Sequence, residues 1–212
     1  MIKDNVKRVL KEVPKNVTIV AATKYVGIKE MKELLDAGIN NFGENRVASF
    51  LEKFEALKED NIVWHFIGHL QTNKAKDIID KIDYLHSLDS LKLLKIIDKF
   101  RTTKLNVFLE INLLNQENKN GIKLSDIEYF INEIKKTTKV NLVGLMMMGS
   151  PERTLLETKK DFMDLYLLKE KLNSEYDLHM KYLSMGMSAD YHEAIISKAT
   201  HIRLGRVLFD DN

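Results

Sequence analysis

Residues 17–25 place one lysine, Lys24, at the end of the apolar run Val-Thr-Ile-Val-Ala-Ala-Thr-Lys-Tyr. Such a run is typical of a strand that is buried on both faces of a parallel sheet. A lysine at the end of a strand is usually a solvated cap, but a neutral lysine amine is also a nucleophile toward carbonyl groups. Lys24 is therefore a candidate for covalent chemistry, provided that the rest of the chain supplies a binding site.

Two segments near the C-terminus, 185–190 and 203–206, carry groups that are suited to holding an anion. Gly186 and Gly205 permit close approach of the backbone, and Ser188 offers a hydroxyl beside the free N–H groups at the start of a helix. Together these groups predict a phosphoryl site, although Ser188 alone fits an ordinary helix N-cap equally well.

Arg203 lies in the middle of an apolar strand pattern, where a guanidinium needs an acceptor such as a heteroaromatic nitrogen or a carboxylate. A strand-end lysine, a phosphate cradle and a buried arginine are the three features that a phosphorylated aldehyde cofactor requires. Pyridoxal 5'-phosphate (PLP) fits all three.

The elements that must position these side chains alternate regularly along the chain. An amphipathic helix over 4–13 precedes eight apolar runs, each followed by a segment with helical periodicity. The predicted strands are 17–23, 40–45, 62–68, 84–88, 106–113, 142–148, 182–188 and 201–205. Eight such units predict a single α/β domain over 1–212, a (β/α)₈ TIM-type barrel with an extra N-terminal helix. A doubly wound open sheet is the alternative, but no Gly-x-Gly-x-x-Gly turn follows the first strand.

Composition narrows the class of protein further. The 212 residues include 33 Lys and Arg against 31 Asp and Glu, a net charge of +2 that gives little support for a nucleic-acid partner. The chain has no cysteine, its first residues lack the apolar core of a signal peptide, and no apolar run is long enough to span a bilayer. These features predict a cytoplasmic protein with no membrane partner.

Several strings in the sequence resemble those of the pyridoxal phosphate homeostasis proteins, the YggS/PROSC family. They are Thr-Lys (23–24), Asn-Phe-Gly-Glu-Asn-Arg-Val (41–47), Trp-His-Phe-Ile-Gly-His-Leu-Gln-Thr-Asn-Lys (64–74), Gly-Leu-Met (144–146), Leu-Ser-Met-Gly-Met-Ser-Ala-Asp (183–190) and Arg-Leu-Gly-Arg (203–206). The resemblance covers nearly the whole chain. It implies a barrel similar to the N-terminal domain of alanine racemase, with PLP bound as a Schiff base on Lys24.

The resemblance also implies which residues contact the cofactor. Ser188 and the backbone of Gly205 and Arg206 would hold the phosphate, and Arg203 would face the pyridine nitrogen and keep it unprotonated. Further cofactor-pocket positions implied in the same way are Asn45 and Ser87. Met187 is a further candidate, for which packing is the default role.

Two enzyme classes are alternatives to a non-catalytic PLP carrier that buffers the cofactor and passes it to PLP-dependent apo-enzymes. A racemase needs a second acid or base on the opposite face of the cofactor, which barrel racemases take from a C-terminal domain beyond the barrel. A phosphosugar enzyme would need paired carboxylates or a metal cluster at strand ends, and Glu110 is the only carboxylate that the pattern clearly places within a strand. We therefore expect a PLP-binding protein without a dedicated reaction, acting as a monomer, with a PLP-dependent amino-acid racemase as the alternative.

The remaining polar and sulfur-containing motifs are predicted to be structural. His65 is expected to be a core histidine, and the methionine run 146–148 a buried strand. Lys74 should face solvent at the start of a helix. Ser125 with Glu128, and Asp190 with Glu193, have the spacing of capping boxes.

Overall fold

The fold is a closed barrel of parallel strands, seen in a computed structural model that describes residues 1–116 and 120–210. Its strands are β1 (Thr18–Ala22), β2 (Asn41–Glu44), β3 (Val63–Phe66), β4 (Tyr84–Leu88), β5 (Leu105–Asn112), β6 (Val140–Met146), β7 (Tyr182–Met187) and β8 (His201–Leu204). Each strand pairs with the next, and the pairing of β1 with β8 closes the sheet. A two-residue strand, Ile122–Lys123, lies beside the end of β5. The predicted (β/α)₈ barrel is confirmed.

Helices connect and surround the strands. They are α1 (Ile2–Glu12), α2 (Ile28–Asp36), α3 (Val47–Ala56), α4 (Ala75–Ile78), α5 (Leu91–Phe100), α6 (Ile127–Lys135), α7 (Leu155–Tyr176), α8 (Tyr191–Ile196) and α9 (Arg206–Phe209). The predicted N-terminal helix is α1, and its Asn5 side chain donates hydrogen bonds to the carbonyls of Leu208 (3.3 Å) and Asp210 (3.1 Å). These bonds join the two ends of the described chain.

Neither predicted capping box forms, because each serine or aspartate side chain finds a nearer partner. Ser125 lies in a 3₁₀ turn ahead of α6, and its hydroxyl donates to Asp126 at 3.0 Å. Asp190 does precede α8, but its Oδ1 accepts the backbone N–H of Met187 at 2.6 Å. The aspartate therefore stabilises the end of β7 and has a structural role by a different bond.

The barrel interior is polar, whereas the layer between the strands and the helices is apolar. Three buried histidines, His65, His86 and His201, lie with ring centroids 5.1 to 6.1 Å apart, and Phe108 packs 4.4 Å from the His86 ring. Burial holds the pKa of His65 and of His86 well below the usual range and lowers that of His201 to about 4. His65 is thus a core histidine, as predicted.

Among the described residues, no helix combines the length and the apolar composition that a membrane crossing requires.

Candidate functional site

A cavity of about 360 Å³ opens where β1, β7 and β8 end, at the C-terminal mouth of the barrel. This is the end at which barrels of this type carry their active sites. Six of the eight predicted site residues line it: Lys24, Met187, Ser188, Arg203, Gly205 and Arg206. The fold therefore brings together the lysine from one end of the chain and the two anion-binding segments from the other.

Lys24 follows β1 after one further residue, Thr23, which is fully buried. The Lys24 side chain is exposed, and its Nζ lies 4.8 Å from the ring centroid of Tyr25. Tyr25 is itself 85 % exposed. The amine is accordingly reachable from solvent, with its Cα held by a buried strand end.

The predicted anion cradle is assembled from the loops after β7 and β8. Ser188 Oγ accepts the backbone N–H groups of Gly205 at 3.2 Å and Val207 at 3.3 Å. Asp190, and not Ser188, is the residue that precedes α8. The hydroxyl of Ser188 therefore belongs to the cavity, where two backbone N–H groups and the Arg206 guanidinium offer donors to an anion.

Arg203 is 4 % exposed and points into the barrel interior. Its Nη1 donates to Ser184 Oγ at 2.5 Å and its Nη2 to the carbonyl of Met147 at 3.0 Å. Burial lowers the pKa of Arg203 to about 10, against the opposing effect of the Glu110 and Asp190 carboxylates. The guanidinium stays charged at neutral pH and can only donate hydrogen bonds.

A chain of buried hydrogen bonds continues from Ser184 into the barrel. The bonds join Ser184 Oγ to His86 Nδ1 (2.7 Å), His86 Nε2 to His65 Nδ1 (2.9 Å) and His65 Nε2 to Asn41 Oδ1 (3.0 Å). Asn41 Oδ1 can only accept, so neutral His65 carries its proton on Nε2, and its Nδ1 accepts from His86 Nε2. His86 Nδ1 then accepts the hydroxyl proton of Ser184. The Asn41 amide oxygen thus sets the tautomer of both histidines, and Ser184 accepts from Arg203 while it donates to His86.

The other two predicted site residues do not line this cavity. Ser87 is buried, and its hydroxyl donates to the carbonyl of Gly68 at 2.5 Å. Asn45 lines a separate cavity of about 520 Å³, together with Arg46, His69 and Lys74 among others. The buried Oδ1 of Asn45 has no hydrogen-bond partner in the described part of the chain. Their roles toward a cofactor stay predictions.

Sequence reasoning missed one carboxylate at a strand end. Glu44, the last residue of β2, is fully buried and pairs with Lys53 of α3 at 2.6 Å. The expectation that Glu110 is the only carboxylate within a strand is therefore wrong. The signal was a glutamate at a strand end with a lysine in the following helix, which a periodicity search assigns to solvent.

The methionine run 146–148 is buried only in part. Met146 and Met147 are buried, whereas Met148 is 43 % exposed because β6 ends at Met146. Met148 lines a cavity of about 220 Å³ with Glu110. Lys74 is exposed beside α4, as predicted.

The donor set fits PLP. An amine suits an aldehyde, a hydroxyl with backbone N–H groups and Arg206 suits a phosphate, and the charged Arg203 suits an unprotonated ring nitrogen. Across residues 1–116 and 120–210, no group of three or more histidine and acidic side chains is arranged to hold a metal ion.

Solved structures with the same architecture include PipY of Synechococcus elongatus, whose structure has PLP bound. It superimposes with a TM-score of 0.93 at 28 % identity, covering 99 % of this chain and 100 % of that one. The alanine racemase of Corynebacterium glutamicum superimposes with a TM-score of 0.79 at 15 % identity, over 100 % of this chain and 60 % of that one. The second likeness concerns the fold alone.

Proteins with similar sequences are named pyridoxal phosphate homeostasis proteins. The pyridoxal phosphate homeostasis protein of Synechocystis sp. is 36 % identical over 208 residues, 96 % of this chain and 95 % of that one. The protein of the same name from Aquifex aeolicus is 36 % identical over 197 residues, 91 % and 86 % of the two chains. The family model for the alanine racemase N-terminal domain matches residues 1–212. The chain therefore belongs to the alanine racemase N-terminal domain family and, within it, to the pyridoxal phosphate homeostasis proteins.

Proposed function

We propose that this protein binds PLP as a Schiff base on Lys24 and serves PLP homeostasis in the cytoplasm without a dedicated catalytic reaction. The observation that carries the proposal is the cavity at the barrel mouth, which unites Lys24 with Ser188, Gly205 and Arg203. The names of the relatives and the PLP-bound structure of PipY support it. When bound, PLP supplies an aldehyde that forms a covalent bond with an amine.

Different residues of the cavity would contact different parts of PLP. The N–H groups of Gly205 and Val207 now face Ser188 Oγ, and they would turn to a phosphate oxygen together with the Ser188 hydroxyl. Arg206 adds positive charge at the rim, where it lines the cavity. Arg203, which only donates, would orient the ring through its unprotonated nitrogen. Lys24 completes the attachment from the β1 side.

A binding role is favoured over racemisation because the acidic side chains that line the cavity are exposed. Among the described lining residues, these side chains are the phenol of Tyr25 and the carboxyl of Asp210. Tyr25 is 85 % exposed, and its ring centroid lies 4.8 Å from Lys24 Nζ. A second acid or base must be held rigidly against the reacting carbon to be effective.

The attachment is tested by absorption spectra of the purified protein with PLP, before and after borohydride, and by mass mapping of the reduced adduct. We expect one label per chain, on Lys24. Lys24→Ala should lose the reducible band, and the matched variant Lys29→Ala, an exposed lysine in α2, should keep it. A label that persists in Lys24→Ala, or one spread over surface lysines, contradicts the assignment.

The racemase alternative is tested on the same PLP-loaded protein. We expect no interconversion of D- and L-alanine above the rate of free PLP, measured by chiral chromatography. Interconversion that is lost in Lys24→Ala would establish the alternative. Transfer of PLP to an apo-enzyme, and a monomeric state in sedimentation, are further parts of the proposal.

A further inference from the structure

A buried ion pair contacts Thr23, the residue before the candidate Schiff-base lysine. Lys53 Nζ, from the second turn of α3, is 2.6 Å from Glu44 Oε1 at the end of β2. The two side chains are 8 % and 0 % exposed. Ser49 Oγ donates to the other carboxylate oxygen of Glu44 at 3.1 Å.

Both partners of this pair bind Thr23, the residue before Lys24. Lys53 Nζ donates to the Thr23 carbonyl at 2.6 Å, and the Thr23 hydroxyl donates to Glu44 Oε1 at 2.6 Å. The Thr23 N–H donates to the Gly43 carbonyl at 3.0 Å. Every polar group of Thr23 is therefore bonded to β2 or α3.

These bonds occur where the chain leaves the sheet. The paired register of β1 and β2 ends at Ala22 and Gly43, and the Val26 N–H then turns back to the Thr23 carbonyl at 3.1 Å. A buried ion pair is weak evidence for stability, because apolar side chains of the same volume often serve as well. Here the hydrogen bonds of the pair converge on one strand-end residue, Thr23. They fix the direction in which the backbone leaves the strand, which apolar packing alone would restrict less.

We propose that Lys53 and Glu44 are positioning residues for Lys24. Their hydrogen bonds to Thr23 hold the peptide that carries Lys24, so that the amine enters the cavity at one fixed place. Lys53 also neutralises Glu44, which leaves the Lys24 amine without a competing carboxylate from β2. This role rests on the proposed attachment of PLP to Lys24.

The test compares Lys53→Met, which keeps the length of the side chain and removes its charge, with the unaltered protein. The first readout is the rate of PLP attachment to Lys24, trapped by borohydride and mapped by mass spectrometry. We expect this rate to fall about tenfold, since a reacting group displaced by about 1 Å loses up to about a hundredfold. The second readout uses trace acetic anhydride and measures the labelling ratio of Lys24 to Lys29 in one sample, without PLP.

The matched control is Asp161→Asn, which breaks the ion pair between Asp161 of α7 and Arg153, which precedes that helix. Asp161 is 4 % exposed and its 2.6 Å bond to Arg153 resembles that of Glu44 to Lys53, but it does not line the cavity. We expect the control to lose stability in urea while keeping both Lys24 readouts.

The outcomes separate the two hypotheses. If PLP does not attach to Lys24 in the unaltered protein, the proposed function fails, and the anhydride ratio still reports on positioning. If PLP attaches equally fast in Lys53→Met, with an unchanged ratio, the positioning role is wrong. Should Lys53→Met not fold, Thr23→Val removes the hydroxyl with its contacts to Glu44 Oε1 (2.6 Å) and the Gly43 carbonyl (3.4 Å). This variant must lower the attachment rate about two- to threefold; an unchanged rate there equally contradicts the role.

Discussion

Glu110 is a buried carboxylate that the proposed attachment does not use. It lies on β5, is 6 % exposed and lines the cavity that also contains Met147 and Met148. Burial, helped by the charge of Asp89 and opposed by Arg203 and His69, raises the pKa of Glu110 to about 7. The protonated form is thus the one that the folded state prefers.

This preference makes stability depend on pH. Between the unfolded pKa and about 7, the folded state binds more protons at Glu110 than the unfolded chain, so stability falls as pH rises through this window. We expect Glu110→Gln to remove this loss of stability. The variant should be more stable than the unaltered protein by about 3 kcal/mol at pH 8 and equal to it near pH 4.

Urea unfolding at several pH values measures this difference. Glu128→Gln, at an exposed position in α6, is the control and should follow the unaltered protein at every pH. A Glu110→Gln variant with the same pH dependence as the unaltered protein would show that Glu110 is solvated in the folded state.

A substitution at Ser188 tests the phosphate contact separately from the covalent attachment to Lys24. Replacing it by alanine removes one hydroxyl and leaves the N–H groups of Gly205 and Val207 in place. We expect the dissociation constant of PLP to rise about tenfold, the loss of one hydrogen bond to a charged group, while pyridoxal without phosphate reacts with Lys24 as before. Fluorescence titration with both compounds measures this, and an equal effect on both would place Ser188 outside the phosphate contact.

At the residue scale, the sequence predicts which side chains are chemically active better than it predicts which hydrogen bonds and ion pairs they form. Lys24 and Arg203 could be found because a charged side chain in an apolar strand is unusual and requires a partner. The pair of Glu44 and Lys53 could not be predicted from the sequence, because it depends on how α3 packs against β2. The capping box at Ser125 failed for a related reason, since spacing alone does not show that a 3₁₀ turn precedes α6.

At the scale of elements, Gly144 shows how tightly β6 packs against its neighbour β7. A Cβ at this position would lie 2.0 Å from the carbonyl oxygen of Tyr182, its partner in β7. The same two strands carry the acceptors of Arg203, namely the Ser184 hydroxyl and, just beyond β6, the Met147 carbonyl. The glycine of the Gly-Leu-Met string is therefore explained by strand packing.

Gly144→Ala should force β6 and β7 apart and destabilise the protein by about 3 kcal/mol or more. Gly38 provides the control, because it has a positive φ of 92° and open space around it. Gly38→Ala should cost only about 1 kcal/mol, for the backbone conformation alone. Urea unfolding of both variants measures which of them loses more free energy of unfolding. Equal losses would mean that the strands adjust to a methyl group at no cost.

The order and type of the elements followed from the sequence because apolar runs and amphipathic segments alternate without interruption. Strand ends were less predictable. The sixth strand was expected to reach Met148 and stops at Met146, because an apolar side chain continues the pattern whether or not its backbone still pairs. Asn45 and Ser87 show the same limit, since a position at a strand end does not determine which cavity of the mouth its side chain enters.

At the scale of the whole molecule, closure of the barrel links the site to every strand. The cavity takes Lys24 from the start of the sheet and Arg203 from its end, and β1 and β8 are neighbours only because the sheet closes. The hydrogen-bond chain from Arg203 to Asn41 then crosses the interior from β8 to β2. A ligand bound at the mouth should therefore stabilise the barrel as one unit.

We accordingly expect a single unfolding transition in calorimetry that PLP shifts as a whole. At a free PLP concentration about 100 times the dissociation constant, linkage adds about 2.7 kcal/mol, which for a chain of 212 residues raises Tm by about 5 to 10 °C. Lys24→Ala should keep part of this shift through the phosphate contacts, and Lys29→Ala should keep all of it. Two transitions, of which PLP moves only one, would contradict a single cooperative domain, because the closed sheet leaves no strand that can unfold without opening the site.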